Sequence, residues 1–142
     1  MTRLTDDAID RLLSEARIHG ERAWAPYSSF RVGAAVLTAD GVTVGGCNVE
    51  NASYGLSMCA ERTALFSATA GGHRDLVALA VTCLDGDPED PATLMPCGAC
   101  RQVMVEYLRP DAVIIVDGAG RFSLEELLPH PFRLAPRADR EG

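Results

Sequence analysis

The chain has 142 residues, with 13 Lys and Arg against 20 Asp and Glu for a formal charge of −7 at neutral pH, and 47% of it is hydrophobic. That is the length of one domain, enough for a proper core but small for an enzyme that encloses a substrate, so oligomerisation would help. The acidic balance excludes the basic stripe on which phosphate-backbone binding rests, so no nucleic-acid partner is expected.

Thr5 followed by Asp6 and Asp7 reads as a helix N-cap with acidic residues in the first turn. Ile9, Leu12, Leu13 and Ala16 recur at helical spacing, which predicts a first helix to about Gly20. Trp24 to Ser29, carrying Pro26, must be loop. Phe30 to Thr38, the turn signal Asp40-Gly41, and Val42 to Val49 predict an antiparallel strand pair. Cys59 to about Ala70, stopped by Gly71-Gly72, reads as a buried helix on Ala60, Ala64, Leu65 and Ala68. Leu76 to Leu84 is a buried strand, Asp85 to Met95 a surface loop with Pro88 and Pro91, and Cys97 to Leu108 a second helix. Ala112 to Val116 is another buried strand, and Arg121 to Leu128 a short edge strand with a last helical turn. A single domain over residues 1–132 is expected, followed by a flexible tail over 133–142.

The run Met1 to Asp7 lacks the apolar region of a signal peptide, and no stretch approaches the ~20 apolar residues needed to span a bilayer. Five cysteines, an odd number, fit reduced thiols better than a secreted disulfide framework. A soluble, cytoplasmic protein without a membrane partner is the expectation. Cys47 and Cys83 lie in apolar strand-like runs and read as small buried hydrophobes.

Cys59-Ala60-Glu61 with the later Pro96-Cys97-Gly98-Ala99-Cys100 supplies three thiolate ligands for Zn2+ and a carboxylate beside them. A structural zinc site is normally closed by four protein ligands. Three leave a position for water, whose pKa the metal lowers to about 7. Glu61, two residues after Cys59 at a helix start, is placed to face that position as the proton carrier. Three thiolates leave the centre with a formal negative charge, which two helix N-termini would offset, and Arg62, next to the site in sequence, could hydrogen-bond ligand sulfurs and withdraw charge. His19, His73 and His130 lie outside any ligand spacing.

The runs Ala25-Pro26-Tyr27-Ser28-Ser29-Phe30, Asn48-Val49-Glu50-Asn51-Ala52-Ser53-Tyr54-Gly55, Cys59-Ala60-Glu61-Arg62-Thr63-Ala64 and Pro96-Cys97-Gly98-Ala99-Cys100-Arg101-Gln102 resemble the small cytidine deaminases of pyrimidine salvage. The late run Phe122 to Pro129 extends the resemblance, and the metal motif shows no departure. The resemblance implies an α/β fold, a three-layer α/β/α sandwich on a mixed five-stranded sheet, assembled as a homotetramer with shared active sites. It implies hydrolysis of the nucleosides cytidine and 2′-deoxycytidine to uridine and 2′-deoxyuridine with release of ammonia, zinc-activated water attacking C4 and Glu61 shuttling protons. Asn48 and Glu50, alternating on one strand, are then expected to grip the ribose 3′-hydroxyl. Phe30 is expected against the pyrimidine ring, the Ala60 backbone at the base carbonyl, and Tyr54 and Phe122 reaching into a neighbouring subunit's site.

Two other readings stand beside this one. A deaminase of another aminopyrimidine, such as blasticidin S, would share the Pro-Cys-Gly-x-Cys-Arg-Gln run, but Glu50 is the residue it is expected to lack. A non-catalytic zinc-stabilised interaction domain would need a fourth protein ligand, and no candidate stands near the two ligand helices.

Overall fold

The structure, a computed structural model, describes residues 4–136. Thr5 accepts a hydrogen bond from the Ala8 amide, so the expected cap starts α1 (Asp6–Gly20). There follow β1 (Val32–Thr38), β2 (Thr43–Cys47), α2 (Ala60–Ala70), β3 (Leu76–Cys83), α3 (Gly98–Tyr107), β4 (Leu108–Val116), β5 (Gly120–Ser123) and α4 (Leu124–Leu127). The sheet order is β2-β1-β3-β4-β5, antiparallel except for the parallel β3–β4 pair. The mixed five-stranded sheet is therefore present as expected.

The strands β1 and β3, and β4 from Ala112 to Val116, read as apolar runs because helices cover both of their faces. Ala34, Val36, Leu79, Val81, Ile114 and Val116 face one core with α2, α3 and α4, while Ala35, Ala78, Ala80 and Ile115 face another with α1. These are the two outer layers of an α/β/α sandwich. At the centre of the α1 face of the sheet lie Ala35, Ala78 and Ala80, and the helix packs Ile9, Leu12 and Ala16 onto it. Each such aliphatic burial contributes roughly 1.5–3 kcal/mol for the large side chains.

Close approach of backbones sets the height of both helices above the sheet. A Cβ added at Gly33 would sit 1.8 Å from the Ala16 carbonyl oxygen, and one at Gly46 would sit 2.5 Å from the Ala64 amide nitrogen. The small face of α2, Ala60, Ala64 and Ala68, is fully buried for the same reason. That contact is what delivers the N-terminus of α2 to the end of the sheet.

Several boundaries differ from the sequence expectation. Strand β1 begins at Val32, not Phe30, and β2 ends at Cys47, so Asn48 and Glu50 lie just beyond it. Between them Val49 makes single bridges to Trp24 and Met58, which prolong the extended chain without a full ladder. Strand β4 begins at Leu108, directly after α3 and ahead of the expected Ala112. Leu108 pairs with Leu76, and the register slips before Ala78 meets Val113, so Pro110 falls where no ladder donor is needed. Of the expected tail over 133–142, residues 137–142 lie outside the described residues, and 133–136 are exposed coil.

Candidate active site

Cys59 and Cys97 are the N-cap residues of α2 and α3, each in extended conformation with the helix beginning at the next residue. Cys100 sits in the first turn of α3 and is buried, while Cys59 is half-buried and Cys97 exposed. The three Sγ atoms lie within 4.8 Å of one another, with Cys59 to Cys97 at 3.9 Å and Cys97 to Cys100 at 3.4 Å. Tetrahedral zinc with ~2.3 Å bonds to sulfur separates its ligand sulfurs by about 3.8 Å, so the cluster has the size of a zinc site. Its soft donors suit that metal. Among the described residues no fourth Cys, His, Asp or Glu joins the cluster.

Charge at the sulfurs is controlled by what surrounds them. The Cys97 sulfur accepts the Cys100 amide at 3.5 Å, the free donor of a helix start. Arg62 donates from Nη2 to the Cys59 sulfur at 3.3 Å. Hydrogen bonding with Cys100 and then with Arg62 holds the Cys59 thiol down at about 5, and hydrogen bonding with Cys59 pushes the Cys100 thiol up. The same sulfurs hold the Arg62 guanidinium charged, and its Nε is buried without a partner.

Glu61 is 4% exposed, and burial pushes its carboxyl up to about 7. A carboxyl poised near neutrality can both take and give a proton, which is the property a general acid–base group needs. It opens into a cleft of about 290 Å³ that it shares with Cys59, Cys97, Ala60, Phe30, Asn48 and Glu50. A cleft of that volume is at the small end of ligand sites.

The polar residues beyond β2 are more constrained than an alternating strand suggests. The Asn48 side chain accepts the Val32 amide at 2.9 Å and donates to the Phe30 carbonyl at 2.7 Å, leaving one N–H free for a ligand. Glu50 accepts the amides of Tyr27 and Ser28 at 3.0 and 3.1 Å and the Ser28 hydroxyl as well. Those bonds, the Ser28 hydroxyl first, hold the Glu50 carboxyl below its usual range and therefore ionised. Ser29, next along this loop, adopts φ 56°, the left-handed region that non-glycine residues rarely occupy.

Two expected residues lie elsewhere in this chain. Tyr54 is 76% exposed and stacks edge-on against Tyr27 with ring centroids 6.1 Å apart, in a depression beside Glu50. Phe122 lies on β5 and borders a different cavity, about 480 Å³, that shares no lining residue with the cleft. Conversely, Ser28, Val32, Cys83 and Thr93 border the cleft without having been singled out for it. Cys83 carried no signal of that position beyond its apolar run. Burial pushes its thiol up to about 12, and it donates to the Leu94 carbonyl at 3.6 Å. Arg101 ties the second ligand loop to α4 through the carbonyls of Pro96 at 3.0 Å and Leu127 at 2.8 Å.

A three-thiol centre open on one side, with a buried carboxyl next to it at two helix starts on a mixed sheet, defines a zinc-dependent hydrolytic deaminase. Comparison with known proteins agrees. Residues 7–116 match the cytidine and deoxycytidylate deaminase zinc-binding region. The chain is 47% identical over 125 residues to a cytidine deaminase of Halalkalibacterium halodurans, covering 85% of this chain and 91% of that one. The crystal structure of cytidine deaminase from Burkholderia pseudomallei superposes with a TM-score of 0.77 at 46% identity, covering 91% of this chain and 100% of the other. That from Mycobacterium tuberculosis gives 0.78 at 38% identity, over 92% and 100%. The chain belongs to the cytidine and deoxycytidylate deaminase family, with zinc as its cofactor. No helix among the described residues is long and apolar enough to cross a membrane.

Proposed function

We propose that this deaminase hydrolyses cytidine and 2′-deoxycytidine to uridine and 2′-deoxyuridine with release of ammonia, as a cytoplasmic enzyme of pyrimidine salvage. The observation that carries this is the junction of the three thiols with buried Glu61 in a cleft of nucleoside-compatible size. Cys59, Cys97 and Cys100 hold the zinc, which when bound lowers the pKa of water at the open position. Glu61 takes one proton from the attacking water and delivers it to N3 of the base, then takes the second from the new C4 hydroxyl and passes it to the departing amine, which leaves as ammonia. Arg62 offsets the charge of the thiolates through Cys59.

Phe30 packs on the pyrimidine ring and the Ala60 backbone meets the base carbonyl. Glu50, ionised, takes the ribose hydroxyl, with Asn48 offering its free N–H. Tyr54 and Phe122 serve a neighbouring subunit's cleft in a homotetramer. The positions outside this chain's own cleft support that placement, as do the exposed Trp24, Tyr54 and Leu56. The deaminase unit ends near residue 132, with 133–142 as its tail. A carboxylate fixed for a sugar hydroxyl favours cytidine over blasticidin S as substrate.

Replacing Glu61 with Gln tests the chemistry. The variant keeps one zinc per chain and its fold but loses turnover of cytidine by about 10²- to 10⁴-fold; unchanged turnover overturns the assignment of Glu61.

A further inference from the structure

Arg31 stands between Phe30 and Val32, both of which border the cleft, yet its own side chain points to a residue far along the chain. Its amide donates to Asp85 Oδ2 at 2.8 Å, its Nε to the same oxygen at 3.0 Å, and its Nη2 to Oδ1 at 3.0 Å. Glu21 adds a contact to Nη1 at 3.2 Å. Exposed ion pairs usually contribute little, but a bidentate fork on a carboxylate that also accepts a backbone amide is the geometry in which they count.

Asp85 is the second residue of the loop between β3 and α3, which closes on itself further along. The Asp87 amide donates to the Thr93 hydroxyl at 2.9 Å, and that hydroxyl donates to the Asp90 carbonyl at 2.8 Å. Leu94 is buried in the main core, and the Cys83 thiol holds its carbonyl. The loop therefore behaves as one piece that presents Thr93 and Met95 to the cleft. Arg31 and Asp85 bind this piece to the segment that presents Phe30 and Val32.

We infer that Arg31 and Asp85 are positioning residues that set the width of the substrate cleft by stapling its two wall segments, Ser28–Val32 and Asp85–Met95. Neither touches the reacting atoms. The inference rests on the proposed nucleoside deaminase function for its substrate. A loosened staple lets the walls part and weakens nucleoside binding, while the zinc ligands and Glu61, held by α2 and α3, stay in place.

The test is a double-mutant cycle on the zinc-loaded protein with Arg31→Ala, Asp85→Ala and the pair, together with the conservative Asp85→Asn and Arg31→Lys. Each alanine variant is expected to raise KM for cytidine roughly three- to tenfold with kcat within about twofold, and the pair to be no worse than either single. The Kd for the product uridine, measured by calorimetry, moves by the same factor, and Arg31→Lys recovers part of the loss. An unchanged KM in Asp85→Asn, single effects that multiply in the pair, or a loss confined to kcat overturns the staple. A wild-type protein that binds zinc and fails to convert cytidine counts instead against the deaminase function itself.

Discussion

Gly46 is where a single methyl group reaches the chemistry from the far side of a helix. A Cβ there would lie 2.5 Å from the Ala64 nitrogen and 3.0 Å from the Ala60 carbonyl oxygen. Ordinary contact between such atoms is about 3.5 Å, so in Gly46→Ala helix α2 must lift by roughly 0.5–1 Å or the β2 edge must yield. Overpacking of this kind costs about 1–3 kcal/mol. With an unfolding entropy near 2.1 cal/mol/K per residue, a chain this long loses roughly 3–10 °C in Tm. The displaced helix carries Cys59 at its cap and Glu61 in its first turn, and a misplacement approaching 1 Å can cost up to about 10²-fold in rate. Calorimetric melting and cytidine turnover on matched zinc-loaded samples are the assays. Gly71→Ala is the control, because its φ of −76° is ordinary and the nearest atom to an added Cβ is 3.3 Å away. A Gly46→Ala protein that melts and turns over like wild type refutes the close-approach account of how α2 is positioned.

Further outcomes follow from the same geometry. Asp117 accepts from Arg17 Nε and Nη2, each at 2.9 Å, and from the Thr82 hydroxyl at 2.9 Å, which ties α1 to the end of β4. These contacts, Arg17 first, lower its pKa, so the stabilisation is complete above the ordinary carboxylate range and is lost as pH falls through the depressed folded value. Tm measured from pH 7 down to 2.5 should show wild type exceeding Asp117→Asn at neutral pH and the gap closing in acid; a constant gap contradicts the linkage. At Ser29, with φ 56°, a glycine removes the left-handed strain and leaves stability equal or up to about 1 kcal/mol higher, whereas Ser29→Val lowers it by about 1–2 kcal/mol. Urea unfolding midpoints decide this, and a valine variant as stable as wild type contradicts the strain.

The parts of this protein that were legible in its sequence are those with short-range causes. Thr5 before two acidic residues capped α1 as such a residue must, and alternating or continuous apolar runs marked each buried strand. The spacing of Cys59, Cys97 and Cys100 reflects two helix starts that converge, and the thiols do meet. What escaped was long-range. Nothing local shows that Asn48 is already hydrogen-bonded through both ends of its amide to the Phe30–Val32 segment. Nothing local places Cys83 at the cleft, or pairs Arg31 with a carboxylate 54 residues away. The start of β4 was missed because Pro110 argues against a strand unless the bulge beside it is known. Phe122 is marked for a neighbouring subunit's site by the resemblance and by no local pattern, and the fold sets it apart from the cleft of its own chain.

Hydrolysis at C4 exchanges an amine for an oxygen taken from water, and that exchange can be followed atom by atom. Purified protein with one zinc per chain, incubated with cytidine in 18O-labelled water, should yield uridine carrying one 18O and one equivalent of ammonia, with both products ceasing when zinc is removed. Cytidine recovered unchanged from a folded, zinc-loaded protein, or uridine without the label, would contradict it.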